Sequence, residues 1–162
     1  MISIVEYESK YLNDVRDLLT ELERYIVDID KDHLDQVHEE YWEKMALVSL
    51  KHIKENDGVC YLAKEDDKVV GLIMGCIISY SDDDKLDYKC PKSGDITELI
   101  VTSKVRSKGV GKMLMDKLED YLKSKGCLYI HVDVFAYNDI GINFYSKCGY
   151  HPRMHNFIKK IK

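Results

Sequence analysis

The chain has 162 residues, and its 24 lysines and arginines against 29 aspartates and glutamates leave a net charge of −5 with histidine neutral. A hydrophobic content of 45 % with only 2 prolines and 9 glycines excludes a disordered, linker-rich or fibrous chain. The acidic balance argues against a general nucleic-acid binder, and the length suits one domain over residues 1–162 with a real core.

In chain order, Ile2, Ile4 and the residues up to Tyr7 predict a first strand. Leu12, Val15, Leu18, Leu19, Leu22, Tyr25 and Ile26 then recur at helical spacing, predicting a helix over 9–28 with Ser9 as N-cap. Leu34, Val37, Tyr41, Met45, Val48 and Ile53 suggest a second helix, stopped by Asn56-Asp57-Gly58. Residues 59–64 and 68–79 read as two strands joined by a tight turn at Asp66-Asp67. Gly71 and Gly75 in the second of them mark close packing. Residues 81–94 are a polar loop and 96–101 a strand. A helix over 109–125 follows, with Val110, Met113, Leu114, Leu118, Tyr121 and Leu122 on its buried face. Then come a strand over 128–135, a short helix over 139–147 ended by Gly149, and a closing strand over 151–161. The pattern is a single mixed α/β layer structure.

Glu6 and Glu8 stand where a secretory leader needs an apolar stretch, and the longest apolar run, 69–78, is far short of the ~20 residues that span a bilayer. Neither secretion nor membrane insertion is expected. Five cysteines without a CxxC pair read as free thiols, mostly buried, in a reducing cytoplasm. His151 and His155 stand four apart on the expected closing strand, sharing a face, but no further ligand accompanies them and no metal is expected.

The charge is uneven. Residues 103–112 hold Lys104, Arg106, Lys108 and Lys112 and no acid, at a junction between strand and helix. Gly109 and Gly111 allow close backbone approach or left-handed angles. The first turn of a helix leaves N–H groups unpaired at the positive end of its dipole. Cations, free N–H groups and a dipole together make an anion site, most naturally for phosphate. The alternative is a solvated basic turn before an ordinary helix. A Walker loop is excluded, because Met113 follows Lys112 and Arg106 takes the first glycine's place; a dinucleotide fingerprint is excluded by Leu114.

The stretch Arg106-Ser107-Lys108-Gly109-Val110-Gly111, preceded by Glu98-Leu99-Ile100-Val101, is one half of a pattern. The other half is Asn138-Asp139-Ile140-Gly141, then Phe144-Tyr145, then Gly149-Tyr150. Together, over 95–150 or about a third of the chain, they resemble the GNAT superfamily of acyl-CoA-dependent N-acetyltransferases. Ser103 replaces a frequent proline, Ser107 a frequent glycine, and Gly141 the usual alanine, which loosens the short helix.

The resemblance implies a mixed, mostly antiparallel central sheet with helices on both faces and strands that splay at the acyl-CoA site. It implies direct attack of an amine on the thioester of acetyl-CoA. The pyrophosphate would rest on backbone amides of Ser107, Lys108, Gly109, Val110, Gly111 and Lys112, with Arg106 in the same cradle. Amides of a bulged strand at Leu99, Ile100 and Val101 would bind the pantetheine arm and the thioester oxygen, the latter role typically contributing ~3–4 kcal/mol. Asn138 would bond the pantetheine amide.

An alkylamine with pKa ~10.4 arrives protonated and must lose a proton. By resemblance Glu98 is the base, acting through a bound water. Asp95 is the rival, on the opposite face if no bulge lies between them; a strand-edge carboxylate paired with a lysine is the structural alternative for Glu98. Tyr145 matches the usual general acid, although proton transfer from a phenol at ~10 to a thiolate at ~8.5 is uphill by ~2 kcal/mol. A core aromatic beside Phe144 is its alternative. Asp28, Asp30, Asp32, Asp35, Glu39, Glu40 and Glu43 crowd a region that forms one wall of the acceptor site in the family, where a cationic amine or polyamine would be attracted; a solvated acidic surface is the alternative and the favoured reading. The partners expected are acetyl-CoA and an amine acceptor, with a homodimer implied by analogy. A non-catalytic acyl-CoA-binding module would keep the phosphate cradle but need neither Glu98 nor Tyr145. A thiol-redox or metal protein fits the scattered cysteines and histidines poorly.

Overall fold

The computed structural model describes residues 1–105 and 108–161. Its order is β1 (Ile2–Glu6), α1 (Leu12–Ile29), α2 (Tyr41–Glu55), β2 (Val59–Glu65), β3 (Lys68–Ile77), α3 (Asp84–Asp87), β4 (Ser93–Val101), α4 (Val110–Ser124), β5 (Tyr129–Val132) and α5 (Asp139–Lys147). The strands form one sheet in the order β1-β2-β3-β4-β5. The first three pairings are antiparallel and β4 with β5 is parallel.

Both faces of the sheet are covered, which is why β2 and β3 read as nearly continuous apolar runs. Cys60, Leu62, Leu72, Met74 and Cys76 pack against Val15, Leu18 and Leu19 of α1 and Ala46 and Ile53 of α2. Val59, Tyr61, Ala63 and Ile73 face the other way, onto Val110, Leu114, Met115, Leu118 and Leu122 of α4. The two glycines of β3 are placed for contact. A Cβ at Gly75 would lie 2.6 Å from the Asp95 carbonyl oxygen and 2.7 Å from Leu118, and one at Gly71 2.8 Å from the Ile100 carbonyl oxygen.

Several expected boundaries move. Ser9–Tyr11 forms a 3₁₀ turn, α1 starts at Leu12, and Ser9 caps nothing. Leu34 and Val37 lie ahead of α2, exposed, because the Asp30 carboxylate accepts the backbone N–H groups of Asp32, Leu34 and Asp35 and holds that segment as a turn. The loop over 81–94 contains α3, a single helical turn tied by Ser81 to Asp84. β5 ends at Val132 instead of running to 135.

The closing strand expected over 151–161 does not form. That segment carries no regular structure and is exposed throughout. Its apolar residues Met154, Phe157, Ile158 and Ile161 stand exposed, and no strand pairing holds it among the described residues. His151 and His155 therefore share no strand face. Of the five free cysteines, Cys60 and Cys76 are buried and the other three partly so. Among the described residues no helix is long and apolar enough to cross a membrane.

Candidate active site

The site begins with a miscount in β4. Met74 pairs with Glu98 but Gly75 pairs with Ile96, so Thr97 is an extra residue, a β-bulge. Strand alternation would put Ile96 and Ile100 on one face. Instead Ile96 packs with α4 and Ile100 with α1 and α2. The same shift brings Asp95 and Glu98 onto one face, the side of α1 and α2. The opposite-face arrangement expected without a bulge does not hold.

The second feature is a wedge. The parallel ladder ends at Ile96 with Val132, while β4 continues to Val101. The diverging strands, α1 and the start of α5 enclose a cavity of ≈ 180 Å³, lined among others by Leu22, Glu23, Thr97, Glu98, Leu99, Asp133, Asn138 and Tyr145. This is the splay expected at the acyl-CoA site. The bulge sits at Thr97, just ahead of Leu99. Leu99 and Val101 turn their side chains to the α4 layer and Ile100 to the α1 and α2 layer, so what they can present to the wedge is main chain.

Glu98 lines this cavity, partly buried. Burial and the neighbouring Glu23 raise its carboxyl to about 7, against a weaker pull from a hydrogen bond to Ser49 on α2. Asp95 does not line the cavity; burial and Asp133 raise its pKa, and His131 and His52 oppose them. The lysine pair of the alternative reading of Glu98 does not occur among the described residues.

Tyr145 reaches the same cavity from α5. It is also packed edge-on against Phe144 at 5.4 Å and Tyr150 at 5.8 Å between ring centroids, so it is an aromatic of the packed layer that also borders the cavity. Burial, with Cys148 and Glu98 adding, pushes its phenol well above the ordinary value.

Asn138 caps α5. Its Oδ1 accepts the Gly141 N–H at 2.9 Å and the Tyr25 hydroxyl at 3.0 Å. An amide N–H can only donate, so this fixes Oδ1 toward the helix and leaves Nδ2 as the donating end. Gly141 is part of that arrangement: a Cβ there would lie 2.6 Å from Nδ2 and 2.9 Å from Cγ of Asn138. It makes room for the cap.

On the anion side, Gly109 is the N-cap of α4 at φ +79°, a left-handed angle that glycine takes without steric cost. No acid lies in the first turn, so the N–H groups of Val110, Gly111 and Lys112 meet no carboxylate of that turn. Val110 is 1 % exposed and its side chain belongs to the core. Gly111 serves packing, since a Cβ would come 3.2 Å from the Phe144 ring. Lys108 pairs with Glu65 at 2.7 Å and Lys112 with Asp116, so the basic run is partly neutralised. Lys104 is exposed. Arg106 and Ser107 lie outside the described residues.

Sequence reasoning missed four participants. Glu23 sits on the buried stripe of α1 between Leu19, Leu22 and Ile26, and a carboxylate there was the available signal. Tyr41 donates its hydroxyl to Glu23 at 3.3 Å. Asp133 lines the cavity just past β5. Thr97 Oγ1 is buried without a hydrogen-bond partner among the described residues, a state that costs on the order of 1–3 kcal/mol. The acids from Asp28 to Glu43, expected to flank the acceptor, do not line this cavity. Asp30 holds backbone, Asp32 accepts the Tyr137 hydroxyl, and Glu40 pairs with Lys44. Asp28 lines a different, more open cavity with Asp17, Glu21, Arg24 and Trp42.

These features have counterparts in known proteins. The chain is 38 % identical over 60 residues to glucosamine 6-phosphate N-acetyltransferase of Arabidopsis thaliana, a match covering 37 % of this chain and 38 % of that protein. The fold superposes on the crystal structure of glucosamine-6-phosphate N-acetyltransferase from Arabidopsis thaliana with a TM-score of 0.66 at 23 % identity, over 100 % of this chain and 99 % of that one. It also superposes on a predicted acetyltransferase with acetyl-CoA from Clostridium acetobutylicum, with a TM-score of 0.72 at 14 % identity over 99 % and 97 % of the chains. At such identities the superpositions speak for the fold. The sequence profile of the acetyltransferase (GNAT) family matches residues 12–150. That match runs through every element placed around the wedge, and the chain belongs to the GNAT acetyltransferase family.

Proposed function

We propose that the protein moves an acetyl group from acetyl-CoA to a primary amine of a small molecule or peptide, by direct attack within a ternary complex. The observation that carries this is one cavity in the β4–β5 wedge shared by a carboxyl poised near neutrality, Glu98, and a protonated phenol, Tyr145. A binding module needs neither.

The residues present fit acetyl-CoA. The first turn of α4 carries no acid behind the left-handed Gly109, and the wedge offers main chain from Leu99 to Val101. Bound there, acetyl-CoA supplies an activated acyl carbon. The amides of Gly109 to Lys112, with Arg106, Ser107 and Lys108, would hold its pyrophosphate. The Nδ2 of Asn138 would donate to the pantetheine arm.

Glu98 takes the ammonium proton, directly or through water; a pKa near 7 keeps it a working base at neutral pH. Tyr145 is a poor proton donor to a thiolate near ~8.5, because its phenol is pushed far above that value. Its role is then to hold the departing sulfur by a hydrogen bond. The homodimer and the cytoplasmic setting implied at the sequence level stay part of this reading; light scattering tests the first.

The test is release of free CoA thiol from acetyl-CoA across a panel of amines, polyamines, aminoglycosides and peptide N-termini. Turnover with at least one class is expected. Calorimetric acetyl-CoA binding without turnover on any acceptor would instead establish the binding module.

A further inference from the structure

One side of the wedge is a loop that the sheet does not hold. The parallel ladder of β4 with β5 stops at Val132, residues beyond it line the cavity, and no residue of α5 is buried. The end of α1 ties this loop to the body. Just past that helix, Asp32 accepts the Tyr137 hydroxyl at 3.2 Å, and the Lys31 ammonium stands 4.8 Å from the centre of the Tyr137 ring. Within the helix, the partly buried Tyr25 donates its hydroxyl to Asn138 Oδ1 at 3.0 Å.

That last bond lands on the atom that decides what Asn138 can offer. An amide oxygen has two lone pairs, and the Gly141 N–H and the Tyr25 hydroxyl take one each. Turning the amide over would set its N–H groups against two donors, so it stands one way round with Nδ2 left to donate. Gly141 supplies a second, independent condition. The amide lies over its bare backbone: a Cβ there would come 2.6 Å from Nδ2, 2.9 Å from Cγ and 3.1 Å from Oδ1. We propose that Tyr25 is a positioning residue for the acyl donor, its hydroxyl holding the Asn138 amide over Gly141 with Nδ2 presented to the pantetheine arm of acetyl-CoA. This rests on the acetyltransferase reading and adds to its site a residue of α1 that lies outside both family blocks.

The test compares acetyl-CoA with 3′-phospho-ADP, which keeps the phosphates and lacks the arm. Both are titrated calorimetrically into the intact protein. Tyr25→Phe keeps the ring and loses the donor. It should weaken acetyl-CoA about 3–10-fold, the usual contribution of one hydrogen bond, and leave 3′-phospho-ADP affinity and the melting temperature unmoved. Asn138→Asp keeps an oxygen for the cap and for Tyr25 but has no N–H to give; it should melt near wild type and lose at least as much acetyl-CoA affinity. Gly141→Ala pushes the amide aside and should weaken acetyl-CoA by a similar factor, again sparing 3′-phospho-ADP. In an Asn138→Ala background, Tyr25→Phe should have no further effect on acetyl-CoA.

Equal losses of acetyl-CoA and 3′-phospho-ADP affinity in Tyr25→Phe, no loss at all, or a loss that persists in the Asn138→Ala background overturns the role given to Tyr25. Absence of acetyl-CoA binding by the wild type rejects the acetyltransferase reading itself, and this role with it. The expected pattern of affinities without CoA release from any amine leaves the role of Tyr25 standing and rejects acetyl transfer.

Discussion

The two sides of the wedge are built on opposite plans. The proposed anion side is one contiguous segment, Lys104 to Lys112, whose described residues face solvent apart from Val105, Val110 and the half-buried Gly111, and it would work through backbone amides and long-range attraction. The proposed acceptor side draws Glu23, Tyr41, Ser49, Glu98, Asp133, Asn138 and Tyr145 from five places in the chain: α1, α2, β4, the end of β5, and α5 with its cap. Its charges are negative and few, with Glu23 and Glu98 partly buried and Asp133 exposed. Exposed cations are screened by salt and are individually replaceable. Shielded carboxylates shift each other's pKa, and each depends on a fixed backbone. A substitution on the first side should therefore tune affinity, and one on the second should stop chemistry.

The largest expected break of this contrast is Glu98→Gln. Loss of a positioned base should lower kcat/KM for the amine by about 10²–10⁴-fold, while calorimetric acetyl-CoA affinity stays near wild type. A fall in acetyl-CoA affinity of comparable size would erase the distinction between the sides. The wild-type kcat/KM should rise with pH through an inflection near 7, since the base must be ionised to act.

Stability should run the other way. Between the ordinary glutamate value and about 7 the folded state keeps a proton that the unfolded chain has lost, so stability falls as pH rises through that window and levels above it. Above the window Glu98→Gln should stabilise the fold by on the order of 1–3 kcal/mol in urea unfolding. An inactive variant of unchanged stability would argue against a strained, poised carboxyl.

Tyr145→Phe comes next. Removing one hydrogen bond to the departing sulfur should cost about 10–100-fold in kcat with little change in acetyl-CoA affinity. Because Phe keeps the packing against Phe144 and Tyr150, its melting temperature should stay near wild type.

On the anion side, Gly109→Ala forces a side chain into left-handed geometry, which should cost about 1 kcal/mol of stability and weaken acetyl-CoA binding several-fold. Smallest is Lys112→Ala, which removes an exposed pair with Asp116. It should change acetyl-CoA affinity only a few-fold, in a salt-dependent way, and leave the melting temperature unmoved. A large salt-independent effect there would mean that Lys112 makes a buried contact after all.

Sequence and structure divide along the same line. Helical spacing from Leu12 to Ile26 and from Val110 to Leu122, and the apolar runs of β2 and β3, were legible because each depends on near neighbours in the chain. So were the two family blocks, the first holding the proposed anion segment and Glu98, the second Asn138 and Tyr145. The segment 151–161 forms no strand for the complementary reason: a strand exists only where a partner pairs with it, and none does among the described residues. Asp30 likewise was counted among the acceptor's acids until its backbone hydrogen bonds explained it.

By itself the sequence determined the mixed α/β layers, the family and the naming of Glu98, Tyr145 and Asn138. Only the tertiary structure decided that Thr97 is an extra residue in β4, that Glu98 therefore faces α1, and that Glu23 and Asp133 meet it there. The physical reason is range. Helix periodicity and loop chemistry are set within a few residues, whereas a bulge is defined by the register of the opposite strand, and a shared cavity by the packing of elements far apart in the chain.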